Sequence, residues 1–348
     1  MHLFITQPLI GAHVPATPSK RDTMRRAAML YYLQQETMET IARDLGVSRS
    51  TVSRLLRDAR DTGMVRITMA DEATASSRAT DALAKRFRIA VHVAPIAGHA
   101  TTVVRLEAAS RLAAHLLEDL VVDGCTLGVA WGTTMSAVAQ HLRPRPRRGV
   151  TVLQLNGAAN PTSTGVTHAG SLIGAFAQAF DADVLHFPVP AFFDFPETRA
   201  AMWRERSVRR ILEAQQTVDV AIFGVGSPSG ELPSEVYAGD YLDAADMRLL
   251  ADEGVVGDVC TVMLRAEGTY ADIAMNRRAT GPTPRMLTRI PRRICVAAGD
   301  AKVLPLLAAL RAHVVTDLVV DQATAEGLLT VAQETPVGRP GAASRHRR

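Results

Sequence analysis

Beyond residue 90 the chain repeats one pattern, a short and almost wholly apolar run followed by a segment with apolar residues at helical spacing. The runs fall at 90–94, 126–130, 151–155, 184–187, 218–223, 259–264, 293–297 and 314–320. The helical segments fall at 102–120, 134–142, 167–180, 197–215, 301–311 and 322–330. A strand that is apolar along its whole length is buried on both faces, which happens when helices cover both sides of a parallel sheet. The pattern therefore predicts a Rossmann-like α/β body over 86–332 with a mostly parallel sheet. In such sheets ligands bind outside the carboxyl ends of the strands.

Residues 20–69 follow a different rule and read as three short helices. Asp22 stands where it can cap a first helix running to Gln35, with Met24, Ala27, Ala28, Tyr31 and Leu33 as its apolar positions. A second helix over 38–45 stops at Gly46, and Ser48 caps a third. In that third helix Val52, Leu55, Leu56 and Ala59 form a buried stripe. The opposite stripe, Arg49, Ser50, Ser53, Arg54 and Arg57, consists of hydrogen-bond donors. Gly46 permits the tight turn and Ala42 the close approach of the two helices, which is the helix-turn-helix arrangement. Such a helix fits the major groove of double-stranded DNA, with Ser48, Arg49, Ser50, Ser53 and Arg54 near bases or phosphates and Arg57 near the backbone. Val65, Ile67 and Met69 alternate as a strand that can begin a wing.

Charge separates this unit from an ordinary three-helix packing element. Between Lys20 and Arg66 there are ten basic residues against six acidic ones, whereas the rest of the chain up to Val337 is mildly acidic. A basic head on an acidic body points to a polyanion partner for the head. Residues 70–80 read as a linker or a polar helix start and are assigned to a linker over 70–85, and 333–348 read as a disordered tail. The longest stretch without a charged residue, 149–180, contains Asn156, Asn160, Pro161 and His168 and is no membrane span. No secretion signal is apparent, and Cys125, Cys260 and Cys295 are too scattered for a disulfide framework or a zinc site. The expectation is a cytoplasmic protein without a cofactor or membrane association.

Glycine-rich turns follow several of the apolar runs. After 126–130 come Gly132, Thr133 and Thr134, which can hold an oxyanion at a helix start or simply cap the turn. Other run ends carry Asn156-Gly157, Gly224 and Gly226, Gly257-Asp258, and Lys302 after Ala298-Gly299. Lys302 can bring a positive charge to a phosphate or stay solvated. Asp258 can accept sugar hydroxyls or end a turn, and His168 can meet a ligand or serve a structural role. The Gly224 turn lacks dinucleotide spacing, and no phosphate loop, nucleophile elbow or HExxH motif occurs. An isomerase or deaminase of sugar phosphates with an appended head is the enzymatic alternative. It would need a general base, and Asp258 is the only acid placed in the crevice.

Taken in order, Ile41-Ala-Arg-Asp-Leu-Gly-Val-Ser-Arg-Ser-Thr-Val-Ser-Arg-Leu-Leu, Leu127-Gly-Val-Ala-Trp-Gly-Thr-Thr, Ile222-Phe-Gly-Val-Gly-Ser, Gly257-Asp258 and Asp317-Leu-Val-Val-Asp-Gln-Ala-Thr-Ala-Glu-Gly-Leu-Leu resemble the SorC family of bacterial sugar-responsive transcriptional regulators. The resemblance implies an effector domain similar to the sugar-phosphate isomerase and CoA-transferase folds, adapted to binding without turnover. It implies a small phosphorylated sugar or polyol as effector of a catabolic operon, and a homo-oligomer, dimer or tetramer, on operator DNA. Gly132, Thr133 and Thr134 match the family's phosphate turn, Lys302 its basic partner and Asp258 its acidic position. Ala298 stands where the family often has a glycine, which narrows that turn.

Overall fold

The computed structural model describes residues 19–33, 36–65, 73–96, 100–162, 166–230 and 234–334, of which 33, 73–77 and 166–168 are described by backbone alone. The chain divides into two compact units, Met1–Asp71 and Glu72–Arg348.

The first unit holds α1 (Lys20–Ala28), α2 (Met38–Leu45) and α3 (Arg49–Asp61). Met24, Ala27, Ala28, Ile41, Val52, Leu55, Leu56 and Ala59 close its core, as the apolar stripes predict. The first cap differs from expectation. Ser19, not Asp22, begins α1, because the Ser19 hydroxyl accepts from the Asp22 N–H while donating to the Asp22 carboxylate. That carboxylate then anchors the cap from inside the first turn. After Ala28 the chain loosens into a π-helical turn over Met29–Leu33. The expected wing strand reaches past Val65 and lies outside the described residues.

The second unit carries β1 (Ala90–Ala94), β2 (Thr126–Val129), β3 (Thr151–Gln154), β4 (Asp183–Leu185), β5 (Val220–Gly224), β6 (Val255–Val259), β7 (Val262–Arg265), β8 (Arg292–Ala297) and β9 (Asp317–Asp321). Its helices are α4 (Ala73–Phe87), α5 (Thr102–Leu120), α6 (Thr133–Ala139), α7 (Val166–Phe180), α8 (Pro196–Met202), α9 (Arg206–Ala214), α10 (Glu235–Ala238), α11 (Ala244–Asp252), α12 (Pro284–Leu287), α13 (Val303–Arg311) and α14 (Gln322–Glu334). Seven strands form one sheet in the order β1-β9-β8-β5-β2-β3-β4, and every pairing in it is parallel. Neighbouring residues of a strand enter opposite cores. In β5, Val220 and Ile222 pack with α5, α6 and α7, while Ala221 and Phe223 pack with α4, α13 and α14. From β2 the chain runs outward to β3 and β4, whereas β5 lies on the other side of β2 and leads to β8 and β9. The strand order therefore reverses between β2 and β5, and a crevice opens at their carboxyl ends.

Three expectations are corrected. Residues 70–85 are no linker, since α4 spans most of them and buries Ala79 and Leu83, four residues apart, in the body core. The apolar run 259–264 is not one strand. It spans the end of β6, a two-residue turn and most of β7 in an antiparallel hairpin, with Cys260 (φ +50) and Thr261 (φ +70) both left-handed, the backbone of a type I′ turn. The helix expected over 197–215 breaks at Trp203, whose ring packs against Phe187 and Phe193, and α9 restarts after an extended Glu205. Helices α10, α11 and α12 have no counterpart in the sequence reading. The residues beyond Glu334, with most of the expected tail, lie outside the described residues. Among the described residues no helix is long and apolar enough to cross a membrane.

Candidate functional site

In the head, Gly46 adopts φ +64 at the end of α2, and Val47 N–H closes back onto the Ala42 carbonyl at 2.9 Å. Ser48 is extended and caps α3, its hydroxyl accepting from Thr51 N–H at 3.1 Å and sharing hydrogen bonds with the Ser50 and Thr51 hydroxyls. Its oxygen is thus engaged in holding the helix start. Arg49, Ser50, Arg54 and Arg57 are exposed on the outer face and Ser53 is half-buried. Three acids of the head are drawn to other basic residues. Asp22 pairs with Arg25, Asp44 with Arg26 and Asp58 with Lys20. Among the described residues Arg54 and Arg57 have no ion-pair partner, while Arg49 stands 4.0 Å from Glu39. What remains on α3 is a cationic face with Arg54 and Arg57 uncompensated, the charge pattern that attracts phosphates.

In the body a cavity of about 270 Å³ lies at the carboxyl ends of β2, β3, β5 and β8. Of the residues singled out from sequence, Gly132, Thr133, Thr134, Asn156, Gly224, Gly226, Asp258 and Lys302 line it. Thr133 and Asp300 are exposed at its mouth, and Asn156 and Asp258 are buried at its base. Gly132 starts α6 at φ +132, and no side chain caps that helix, so its first N–H groups remain for a ligand or solvent.

Asp258 sits in the strand leading to the hairpin turn. Its Oδ2 accepts from Thr261 N–H at 2.9 Å, and its Oδ1 is buried without a hydrogen-bond partner. Burial pushes its carboxyl up to about 6, opposed by the Thr261 N–H, the neighbouring Tyr237 hydroxyl and the nearby Lys302. Asn156 Oδ1 is likewise buried and unpartnered. Lys302 Nζ donates to the Ser234 hydroxyl at 2.7 Å and the Val225 carbonyl at 3.1 Å. An ammonium has three donors, so one is left. Burial lowers the Lys302 pKa, and the charge of Asp258 works against that fall. The cavity thus holds one cation beside a bare helix start and, deeper, the Oδ1 atoms of Asn156 and Asp258; Glu235 and Asp300 also line it, so Asp258 is not the only acid there, contrary to expectation.

One sequence candidate does not join the site. Gly157 stays out of the cavity because the chain passes too close for any side chain. A Cβ there would lie 2.2 Å from the Pro190 carbonyl, and its own carbonyl receives the Trp131 indole N–H at 2.7 Å. The His168 side chain lies outside the described residues, although its backbone begins α7. Conversely, Trp131, Thr102, Leu106, Ser234 and Thr261 line the cavity without having been singled out. Trp131 stacks on Tyr241 with ring centroids 4.9 Å apart. Its place inside the Gly-Val-Ala-Trp-Gly-Thr-Thr run was the one available signal. Ser234 has none, because only the fold brings it beneath Lys302. Cys260 also reaches the cavity, but burial raises its thiol pKa well above the ordinary range, which leaves it unreactive.

Comparison with known proteins agrees with this geometry. A family model described as "Putative sugar-binding domain" matches residues 71–330, and one described as "Homeodomain-like domain" matches 19–65. The chain is 31% identical over 313 residues to the deoxyribonucleoside regulator of Bacillus subtilis, covering 89% of this chain and 98% of that protein. The full-length sorbitol operon regulator SorC from Klebsiella pneumoniae is similar in structure with a TM-score of 0.67 at 26% identity, over 88% of this chain and 98% of that one. A domain of "a possible sugar-binding transcriptional regulator" from Arthrobacter aurescens is similar with a TM-score of 0.69 at 41% identity, over 73% of this chain and 97% of that one.

Proposed function

This chain belongs to the SorC family of sugar-binding transcriptional regulators, and from that premise we propose that its cavity receives a small phosphorylated sugar or polyol whose binding alters the grip of α3 on operator DNA. The observation that carries the effector half is the polarity of the cavity. The Lys302 ammonium and the uncapped start of α6 suit a phosphate. The unpartnered Asn156 Oδ1 and Asp258 Oδ1 call for hydroxyl donors at the other end of the same molecule. A volume near 270 Å³ is small for a ligand pocket and suits one sugar unit rather than an oligosaccharide.

The DNA half rests on the exposed Arg49, Ser50, Arg54 and Arg57 of α3, with Ser53 beside them and Ser48 holding the helix start. Effector binding acts by favouring one of two arrangements of the regulator, since a ligand shifts an equilibrium only by its differential affinity for the two states. A homo-oligomer reading paired half-sites is part of this proposal, as is binding without turnover. The operon concerned is one for carbohydrate or polyol catabolism.

The test is a thermal-shift screen of the purified protein against phosphorylated sugars and polyols beside their unphosphorylated forms, because a ligand of the folded state raises its Tm. A shift confined to phosphorylated compounds supports the proposal. Shifts by neutral sugars alone overturn the phosphate, and loss of the ligand on incubation overturns binding without turnover.

A further inference from the structure

Arg105, on the first turns of α5, takes no direct part in lining the cavity, yet the mouth of the cavity is tied to it. Its Nε donates to Asp321 at 2.8 Å, and its Nη2 donates to Asp300 at 2.9 Å and to the Thr324 hydroxyl at 3.1 Å. The two carboxylates differ sharply in surroundings. The Asp321 side chain is fully buried, whereas that of Asp300 is 85% exposed and belongs to the turn that carries Lys302. The same turn is fastened a second time through Gly299, whose N–H donates to the Thr324 hydroxyl at 2.9 Å and to Asp321 at 3.3 Å. Gly299 has φ +101, and a Cβ there would come within 2.9 Å of the Thr102 side chain, so the turn is wedged between α5 and α14.

Thr324 stands in the first turn of α14. Further along, Ala325, Leu328 and Ala332 share a core with Ala79 and Leu83 of α4, and the Arg86 guanidinium of α4 donates to the Ala332 carbonyl. Helix α4 opens the body, directly after the DNA-binding unit in the chain.

We propose that Arg105 is a positioning residue: it holds the Ala298–Lys302 turn open for the ligand through Asp300 and Thr324, and it passes the state of that turn to α14 and α4. This rests on the reading that the cavity holds the effector. The physical basis is charge. An anion seated beside Lys302 repels the exposed Asp300 carboxylate, and Arg105 then closes on its buried partners, Asp321 and Thr324. The network is contiguous from the cavity to α4, and a measured response at both ends is what gives such a path meaning.

Hydrogen exchange of the full-length protein, read on segments 298–303 and 78–87, tests the proposal. Asp300→Ala leaves the buried Arg105–Asp321 pair intact and so preserves the fold. Without any ligand it is expected to speed exchange roughly tenfold in 298–303 and about threefold in 78–87, with β4 unchanged. Thr324→Val is expected to give the same pattern, and so is Arg105→Lys, which keeps the charge but not the fork that reaches three partners. A loosened 298–303 beside an unmoved 78–87 in all three variants overturns the proposal. Ribose 5-phosphate and inorganic phosphate serve as probes for the liganded state. Either one is expected to protect both segments in the wild type and only 298–303 in Thr324→Val. If neither probe changes the wild type, the phosphate reading of the cavity fails, and the ligand-free comparison still decides the role of Arg105.

Discussion

Gly226 and Asp258 face each other across an antiparallel bridge, exchanging backbone hydrogen bonds of 2.9 and 3.4 Å, and a Cβ on residue 226 would fall 1.7 Å from Asp258 Oδ1. The absence of a side chain at 226 is what lets the carboxylate of Asp258 turn toward the cavity. Gly226→Ala must push that carboxylate aside or part the bridge. The expected result is a loss of about 1–3 kcal/mol of stability, typical of overpacking, together with loss of ligand binding. Thermal unfolding and ligand titration of the variant check both, and an unchanged ligand affinity would remove Asp258 from the site.

The buried carboxylate of Asp258 makes stability depend on pH in a defined direction. Its pKa in the fold is about 6, above the ordinary 3.8, so ionising it costs more folded than unfolded. The penalty is absent below pH 3.8, grows as pH rises toward 6, and is complete above that, at about 3 kcal/mol. Asp258→Asn removes the ionisation and nearly preserves the shape. It is expected to be more stable than the wild type at pH 7, with the gain gone at pH 4, while binding the sugar more weakly. Melting curves of the two proteins across this range are the measurement, and equal Tm differences at both pH values would contradict it.

Lys302 separates a phosphorylated ligand from a neutral one. Its ammonium is fixed by the Ser234 hydroxyl and the Val225 carbonyl, so it meets a ligand already oriented. Lys302→Met keeps the apolar stem and removes one charge-assisted hydrogen bond, worth about 1.5–3 kcal/mol or roughly 10- to 100-fold in affinity. The expected loss is confined to the phosphorylated form of a sugar. Calorimetric titration of one sugar with and without its phosphate tests this, and an equal effect on both forms would point to a neutral effector.

Legibility from sequence followed the range of the interactions. The parallel sheet was readable because Val220, Ala221, Ile222 and Phe223 are all apolar, a pattern produced by helices on both faces. The head was readable because Gly46 and Ser48 act on their immediate neighbours. The hairpin was not, since Cys260 and Thr261 are poor signals for a left-handed turn. That turn is held from outside by Asp258 Oδ2 on the Thr261 N–H and by the close passage of Gly281. Glycine-rich strand ends marked the cavity for the same local reason, yet Gly157 shows that glycine can equally answer to a passing backbone. Ser234 and Arg105 act across 68 and 195 residues of sequence on Lys302 and Asp300, and no spacing rule reaches so far.

The head offers a prediction in which neighbouring arginines differ. Arg54 and Arg57 are exposed on α3 without an ion-pair partner among the described residues, whereas Arg49 lies 4.0 Å from Glu39. A pair that exposed is weak, but it must be given up when Arg49 turns to DNA. Arg54→Ala is therefore expected to weaken binding to the promoter fragment beside the protein's own coding region about tenfold or more, and Arg49→Ala by less. Glu39→Ala is expected to strengthen binding by freeing Arg49. Arg57→Ala, if its guanidinium meets a phosphate, should weaken binding evenly across sequences and lower the slope of log affinity against log salt by about one. All four variants should keep the wild-type thermal shift with ligand, because the cavity is built wholly from the second unit. Gel-shift titrations over a range of salt concentrations measure these differences. An Arg54→Ala protein with wild-type affinity at every salt concentration would mean that α3 is not the reading helix.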